Sequence, residues 1–266
     1  MLMYIVYFFV FMLSCMFGAV VGLGGGVIIR PILDAIAYHN VLNIAFLSSA
    51  AVLVMAVVST LKKVKDGTKI DTGSAALISF GALIGGALGN LILEHLVSIF
   101  YAESDVQLLQ TASTIVVLIL AIYFTTTERF RFNFKAKIFY PVLGLLLGIT
   151  AIFLGISGGP VNVPVFMVLF SMPAKQATAY SIVVIFFSHL FRMITMGFTV
   201  GFAYFDLQFL LFTIPAAIIG GIVGSIFSRM VSDNSVKRAF NFAMAALILL
   251  NAYNALMFIL STGYNL

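Results

Sequence analysis

The chain has 266 residues, of which 62% are hydrophobic and only 9% are charged. Soluble domains average about 25% charged residues, so lipid rather than water must surround most of this surface. The single cysteine excludes a disulfide framework, no zinc-type Cys/His spacing occurs, and the net charge of +5 resides mainly in short loops between apolar runs. We therefore expect membrane lipid as a partner, and no nucleic acid, metal or cofactor.

The apolar residues form long continuous runs instead of alternating, which predicts an all-α polytopic membrane protein. Two runs are too short to cross a hydrocarbon core of about 30 Å, and each follows a glycine-rich break. In chain order the runs are 2–23, 27–38, 42–61, 72–98, 107–125, 138–156, 160–171, 175–200, 206–228 and 236–260.

An internal repeat is visible in the glycine pattern. The stretch Gly22–Pro31 aligns with Gly155–Pro164 as G-x-[G/S]-G-G-x-x-x-x-P, and Gly85–Gly89 aligns with Gly220–Gly224. The offsets, 133 and 135 residues, nearly agree, which indicates a duplication. We divide the chain into repeat 1 (1–127), a basic linker (128–137) and repeat 2 (138–266).

The distribution of basic residues favours an inverted repeat. If 2–38 and 138–171 are hairpins that enter and leave on one face, the loop Lys and Arg residues all fall on one side, which the positive-inside rule makes cytoplasmic. A plain eight-span arrangement splits the same charges between two sides. Each repeat then holds one glycine-broken hairpin plus three transmembrane helices, which are 42–61, 72–98 and 107–125, and 175–200, 206–228 and 236–260. Both termini are predicted outside.

The glycine breaks are the predicted binding site. A short helix beginning after each break has N–H groups without helical partners and the positive end of a helix dipole, which together suit an anion. The first break contributes Gly24, Gly25 and Gly26, and the second contributes Ser157, Gly158 and Gly159. The alternative is that these glycines only allow close helix packing, which is the role we expect for the Gly85 and Gly220 patterns.

Polar side chains near the breaks are further candidates for substrate binding. Arg30 lies early in the first short helix, although an ion pair with Asp34 would merely neutralise it. Arg192 adds charge unless it extends to the outer interface. Neutral candidates, for which hydrogen bonding between helices is the alternative, are Asn162, Ser48 and Ser181. His189 is a candidate proton relay or else a packing residue.

Enzyme signatures are missing from the chain. There is no H-E-x-x-H, no G-x-S-x-G and no G-x-x-x-x-G-K-[S/T] sequence, so we expect neither an enzyme nor transport driven by ATP through this chain alone.

The sequence around the two glycine breaks resembles that of a known family. A first helix ending G-A-V-V-G-L-G-G-G and followed by P-I-L, with G-I-S-G-G-P-V-N-V-P in mid-chain, resembles the TauE/SafE sulfite exporter family over essentially the whole chain. The resemblance implies a substrate class that the spacing did not, namely sulfite, sulfoacetate and related organosulfur anions. Arg30 beside the first proline departs from the commoner family pattern.

The leading hypothesis is a secondary transporter, and more specifically an exporter, of sulfite or an organosulfonate in the inner (plasma) membrane of a prokaryotic cell. The alternatives are an anion channel of the same architecture and a membrane scaffold or enzyme subunit without transport. The oligomeric state is left open.

Overall fold

The computed structural model describes residues 1–36, 38–68, 70–99, 103–127, 131–134, 136–154 and 158–262. Within these ranges the regular structure is entirely helical, with two short 3₁₀ turns, Phe202–Tyr204 and Leu207–Phe209. The α-helices are α1 Leu2–Val21, α2 Gly26–Ile36, α3 Val41–Lys65, α4 Thr72–Ile99, α5 Glu103–Thr126, α6 Phe139–Phe153, α7 Gly159–Leu169, α8 Ala174–Thr199, α9 Leu210–Met230 and α10 Asp233–Thr262.

Seven of the described helices are long and apolar enough to cross a membrane, which makes the chain an integral membrane protein. They are α1, α3, α4, α5, α8, α9 and α10. The short helices α2 and α7 have 11 residues each. At 1.5 Å per residue they extend about 17 Å, roughly half the hydrocarbon core, as the sequence predicted.

Helix α3 continues past the predicted boundary at residue 61. It ends at Lys65, and its last turn carries Lys62, Lys63 and Lys65. No glycine or proline interrupts the sequence before Gly67, and cations stabilise a helix C-terminus through its dipole. Residues predicted to lie in a polar loop therefore belong to the helix.

The basic connections meet at one end of the bundle, here called the basic end. The Arg229 guanidinium donates to Asp66 at 3.2 Å, and the Lys175 backbone N–H donates to the Asp233 carboxylate at 2.9 Å. At the other end, the N-terminal Tyr4 hydroxyl donates to Gln208 at 3.2 Å. The loops that carry most of the basic residues thus share one face of the molecule.

The two broken hairpins start and finish at different ends of the bundle. In the first, the Tyr7 hydroxyl near the start of α1 lies 2.7 Å from His39 Nδ1, just after α2. In the second, the ring of Tyr140 at the start of α6 stacks on Phe170 just after α7, with centroids 4.9 Å apart. The last turn of α7 also meets the basic linker, where the Phe132 N–H donates to Val168 O at 2.7 Å.

Two pairs of helices that are distant in sequence pack closely along each other. Helix α1 packs along α9, and α6 packs along α4. In both pairs the helix backbones are in direct contact. A Cβ added at Gly224 would clash with Met16 O, and one added at Gly85 would clash with Leu145 O. The paired glycine patterns therefore serve the helix packing that the sequence predicted for them.

Candidate functional site

The first glycine break connects α1 to α2. Gly22 ends α1 in the left-handed conformation, with φ 77°, and its N–H donates to Gly18 O at 2.8 Å. This φ is costly for a residue with a Cβ, which explains the glycine. After Leu23, Gly24 and Gly25, helix α2 begins at Gly26.

The second break leads into α7. Gly158 precedes the helix with φ 61°, and Pro160 occupies the first turn, where its missing N–H costs no hydrogen bond. The Val161 and Asn162 N–H groups donate to Gly158 O at 3.0 and 2.9 Å. Ser157, one of the predicted site residues, lies outside the described residues.

The two breaks touch each other. A Cβ added at Gly159 would lie only 2.6 Å from Leu23 Cα, so the start of α7 rests directly on the backbone between Gly22 and Gly24. Gly22–Gly26 and Gly158–Pro160 are all buried. The structure thus brings together two segments that lie more than 130 residues apart in the chain.

The contact between the breaks lies at the middle of the molecule. A Cβ added at Gly24 would meet Ile185 Cγ2 on α8 at 2.9 Å and Val52 Cγ1 on α3 at 3.5 Å. Val52 and Ile185 are separated by the same 133 residues that relate the two breaks. The first break therefore lies where α3 and α8 pack together.

Chemically, such a centre favours an anion. At the start of α2 the Ile28 and Ile29 N–H groups already donate to Gly25 O, as those of Val161 and Asn162 do to Gly158 O. This leaves the N–H groups of Val27 and Gly159 without a backbone acceptor among the described residues, and each helix dipole adds partial positive charge at this end. Backbone donors in a buried, water-poor space interact strongly with charge. The helix starts could therefore hold an anion without any lysine or arginine in direct contact.

Asn162 is the polar side chain most closely associated with the second break. It is 1% exposed, and neither its Oδ1 nor its Nδ2 has a hydrogen-bond partner among the described residues. A Cβ added at Gly158 would lie 3.4 Å from Nδ2, so the amide sits against the break. Leaving a buried amide unpaired costs free energy, which a bound acceptor would offset.

The two predicted serines are buried near the breaks. Ser181 donates its hydroxyl to Gly22 O at 2.7 Å, so it satisfies a carbonyl that the end of α1 leaves open. Ser48, its counterpart on α3, is 6% exposed. The Ser181 bond matches the alternative that the sequence left open, which is helix-to-helix hydrogen bonding.

The two predicted arginines do not line the contact between the breaks. Arg30 Nε pairs with Asp34 at 3.7 Å, and both side chains are nearly half exposed. Arg192 is on the exposed surface of α8, close enough to Arg30 for their charges to act on each other. These cations therefore form a separate positive region, already partly neutralised by Asp34.

His189, the predicted proton relay, is 5% exposed on α8. Its Nδ1 has no hydrogen-bond partner in the described part of the chain. A relay requires a second proton-carrying group within hydrogen-bond reach, so the geometry lends the relay no support.

Lys63, which the sequence predicted to lie in a polar loop, is instead a buried residue of α3. Lys63 is 5% exposed, and its Nζ donates to Thr178 Oγ1 at 3.2 Å. A Cβ on Gly22 would lie 2.7 Å from Thr178 Cα, so a single residue separates this lysine from the first break. The signal was the missing helix breaker before Gly67, which implies a longer α3.

Comparison with known proteins identifies a family. The sulfite exporter TauE/SafE family matches residues 7–250. No curated protein and no solved structure matches the chain. The matched range includes both glycine breaks and most of all ten helices.

Proposed function

Because the chain belongs to the TauE/SafE sulfite exporter family, we propose that it is a secondary transporter that exports sulfite or a small organosulfur anion. The substrate would be bound where the two glycine breaks meet. The observation that carries this proposal is the contact of Gly159 with Leu23, which joins the start of α7 to the break that precedes α2. Helix N-termini of this kind are common anion sites, and broken helices in corresponding halves are typical of transporter sites.

We further propose that the halves are inverted repeats, with the boundaries 1–127 and 138–266. Two features support this relation. The first hairpin starts and finishes near Tyr7 and His39, whereas the second starts and finishes near Tyr140 and Phe170 beside the basic linker. The pairings of α1 with α9 and of α6 with α4 are those that a two-fold relation would produce.

In this proposal, backbone N–H groups at the starts of α2 and α7 bind the anion, and the Asn162 amide contributes a neutral donor. Ser181 acts by holding the end of α1 through Gly22 O. Arg30 and Arg192 act at a distance, by raising the local concentration of anions.

Burial of the breaks favours a transporter over an open channel. Because Gly22–Gly26 and Gly158–Pro160 are all buried, an anion can reach them only after helices move. Movement of one half against the other, which alternately opens each end, is the expected mechanism. The basic end would face the cytoplasm of a prokaryotic cell and both termini would face outward.

The test is uptake of radiolabelled sulfite by proteoliposomes that contain the purified protein. We expect saturable flux that is stimulated by sulfite on the opposite side, and loss of flux in Gly158→Leu, because leucine is strained at φ 61°. Gly73→Leu is the control, since its Cβ meets only Asp71 Oδ1 at 3.5 Å.

Three outcomes contradict the proposal. No flux of sulfite or organosulfonates under any gradient rules out a transporter and leaves the scaffold role. Flux without saturation or counter-flow indicates a channel. Undiminished flux in a correctly folded Gly158→Leu variant places the substrate elsewhere.

A further inference from the structure

A second positively charged cavity lies at the basic end, outside the glycine breaks. It has a volume of about 200 Å³ and is formed by the ends of α3 and α9 and the start of α8. Since one water takes up about 30 Å³ of liquid, this is room for a small ion with a few waters. The lining residues are Lys63, Asp66, Gly67, Thr68, Lys175, Ser225, Ser228 and Arg229.

Lys63 is the buried cation of this cavity. It is 5% exposed and has no carboxylate within 4 Å among the described residues, and its described polar contact is with Thr178 Oγ1. A buried ammonium group without a counter-ion is costly. The cavity therefore contains a charge that a bound anion would neutralise.

The other charges leave an excess of positive charge. Asp66 is the one carboxylate lining the cavity, and it already contacts Lys62 at 3.5 Å and Arg229 at 3.2 Å. Lys175 donates its Nζ to the Arg229 carbonyl at 3.2 Å, which does not neutralise it. Lys63 and Lys175 are close enough to repel each other. Three cations thus face one shared carboxylate.

A serine supplies an independent indication of a ligand. Ser225 is 1% exposed and lines the cavity, yet its hydroxyl has no hydrogen-bond partner among the described residues. A buried hydroxyl is normally paired. An oxyanion in the cavity could accept a hydrogen bond from it while contacting the lysines.

From this cavity, its charge excess and its unpaired hydroxyl, we propose that the basic end contains a second oxyanion site, which receives the transported anion before it reaches the glycine breaks. Thr178 links the two places, because it accepts from Lys63 and lies against Gly22. The role as an entry site rests on the proposed transport function, whereas oxyanion binding does not.

The test is calorimetric titration of the purified protein with sulfite and, separately, with sulfate in lipid-free detergent. Lys63→Gln is expected to weaken one binding event at least tenfold and Ser225→Ala about threefold. Lys65→Gln is the matched control, since it removes the same charge, two residues away, from an exposed side chain that does not line the cavity. It should change the affinity less than twofold. If Lys63→Gln does not fold, Ser225→Ala and Lys175→Gln decide the result.

Flux assays separate this inference from the proposed function. The entry role predicts that Lys63→Gln raises the KM for sulfite flux at least fivefold, whereas Lys65→Gln does not. Equal affinity and KM in these two variants, with sulfite flux intact, overturn the second site and leave the transporter. Lys63-dependent binding without any flux removes the transporter and the entry role and leaves an oxyanion site.

A lipid phosphate shares the chemistry of sulfite, so a further titration uses a short-chain phosphatidic acid. Competition by this lipid for a site that also binds free sulfite agrees with the proposal. Binding of the lipid through Lys63, with no binding of sulfite or sulfate, would make the cavity a headgroup site and overturn the entry role.

Discussion

The two broken hairpins share a backbone plan but differ in side chains and packing. Helix α1 has 20 residues, whereas its counterpart α6 has 15. Helix α7 packs against α5, whereas an apolar groove of about 570 Å³ separates α2 from α10. In the second hairpin the notable polar group is a buried amide, and in the first it is an exposed ion pair.

The features that the two hairpins share are those on which the proposed site depends. Both hairpins keep a glycine break before an 11-residue helix, because the proposed site depends on backbone donors at the helix starts. The side chains of the two hairpins can differ, since each polar group of the proposed site needs to come from only one of them. Four experiments test how far the two hairpins differ.

The largest expected effect comes from adding one methyl group at each break. In Gly159→Ala the Cβ would lie 2.6 Å from Leu23 Cα, which is backbone, so we expect a loss of stability of about 3 kcal/mol and loss of flux. In Gly24→Ala the methyl would lie 2.9 Å from Ile185 Cγ2, which is a side-chain rather than a backbone atom, and the φ of 78° costs about 1–2 kcal/mol, so we expect a smaller loss than at Gly159. Unfolding in detergent and sulfite flux provide the measurements. Equal losses at both positions would mean that the two breaks tolerate an added methyl group equally poorly.

The second experiment concerns the buried amide. Asn162→Leu should leave stability unchanged or raise it by about 1–2 kcal/mol, because it removes an unpaired buried group. Sulfite affinity should fall about tenfold or more, the value of one hydrogen bond to a charged ligand.

The matched control is Ile29, which occupies the corresponding position in the first hairpin and is fully buried. Ile29→Val should cost about 0.5–1.5 kcal/mol with an unchanged KM. If Asn162→Leu transports as the wild type does, the amide is not part of the site.

The third experiment separates the members of the exposed ion pair. Arg30→Gln should raise the KM for sulfite roughly fivefold, since a cation that attracts anions is lost, and should change stability by less than about 1 kcal/mol. Asp34→Asn breaks the same pair but keeps the cation, so its KM should not rise. Flux measured at low and high salt would show the effect fading with screening. A similar increase in KM in both variants would mean that the pair only supports the fold.

The smallest effects are expected at two acidic caps that lie 135 residues apart. Asp71 accepts from Ser74 before α4, and Asp206 accepts from the Gln208 N–H before α9. The Ser74 hydroxyl holds the pKa of Asp71 below its ordinary value of 3.8. The resulting stabilisation is present above that ordinary pKa and is lost as the pH falls through the lowered pKa.

Asp71→Ala should therefore lower the melting temperature slightly and by a constant amount from neutral pH down to about pH 5, with a smaller difference below about pH 4. Asp206→Ala should also have a small effect, although it additionally removes the 3.6 Å contact with His39. Melting curves in detergent across this pH range test both. A difference for Asp71→Ala that grows at low pH would contradict the assignment.

Much of the fold could be predicted from the sequence. The apolar runs indicated helices, the glycine breaks marked the two short ones, and most helix ends fell within a few residues of the observed ends. The boundary at residue 61 was wrong, because apolarity was used as the sign of a helix end and α3 continues through lysines. The inverted relation, the side of the termini and the individual binding residues remain predictions.

The membrane environment and the two glycine-broken segments can be read from the sequence, since both follow from local composition and spacing. The contact of Gly159 with Leu23, the hydrogen bond that Ser181 donates to Gly22 O, and the enclosure of Lys63 in a cavity become visible only in the folded structure. Each of these depends on which helices pack together across more than 100 residues of chain. A local sequence pattern cannot predict which helices pack together, because this depends on close contact between the backbones of whole helices.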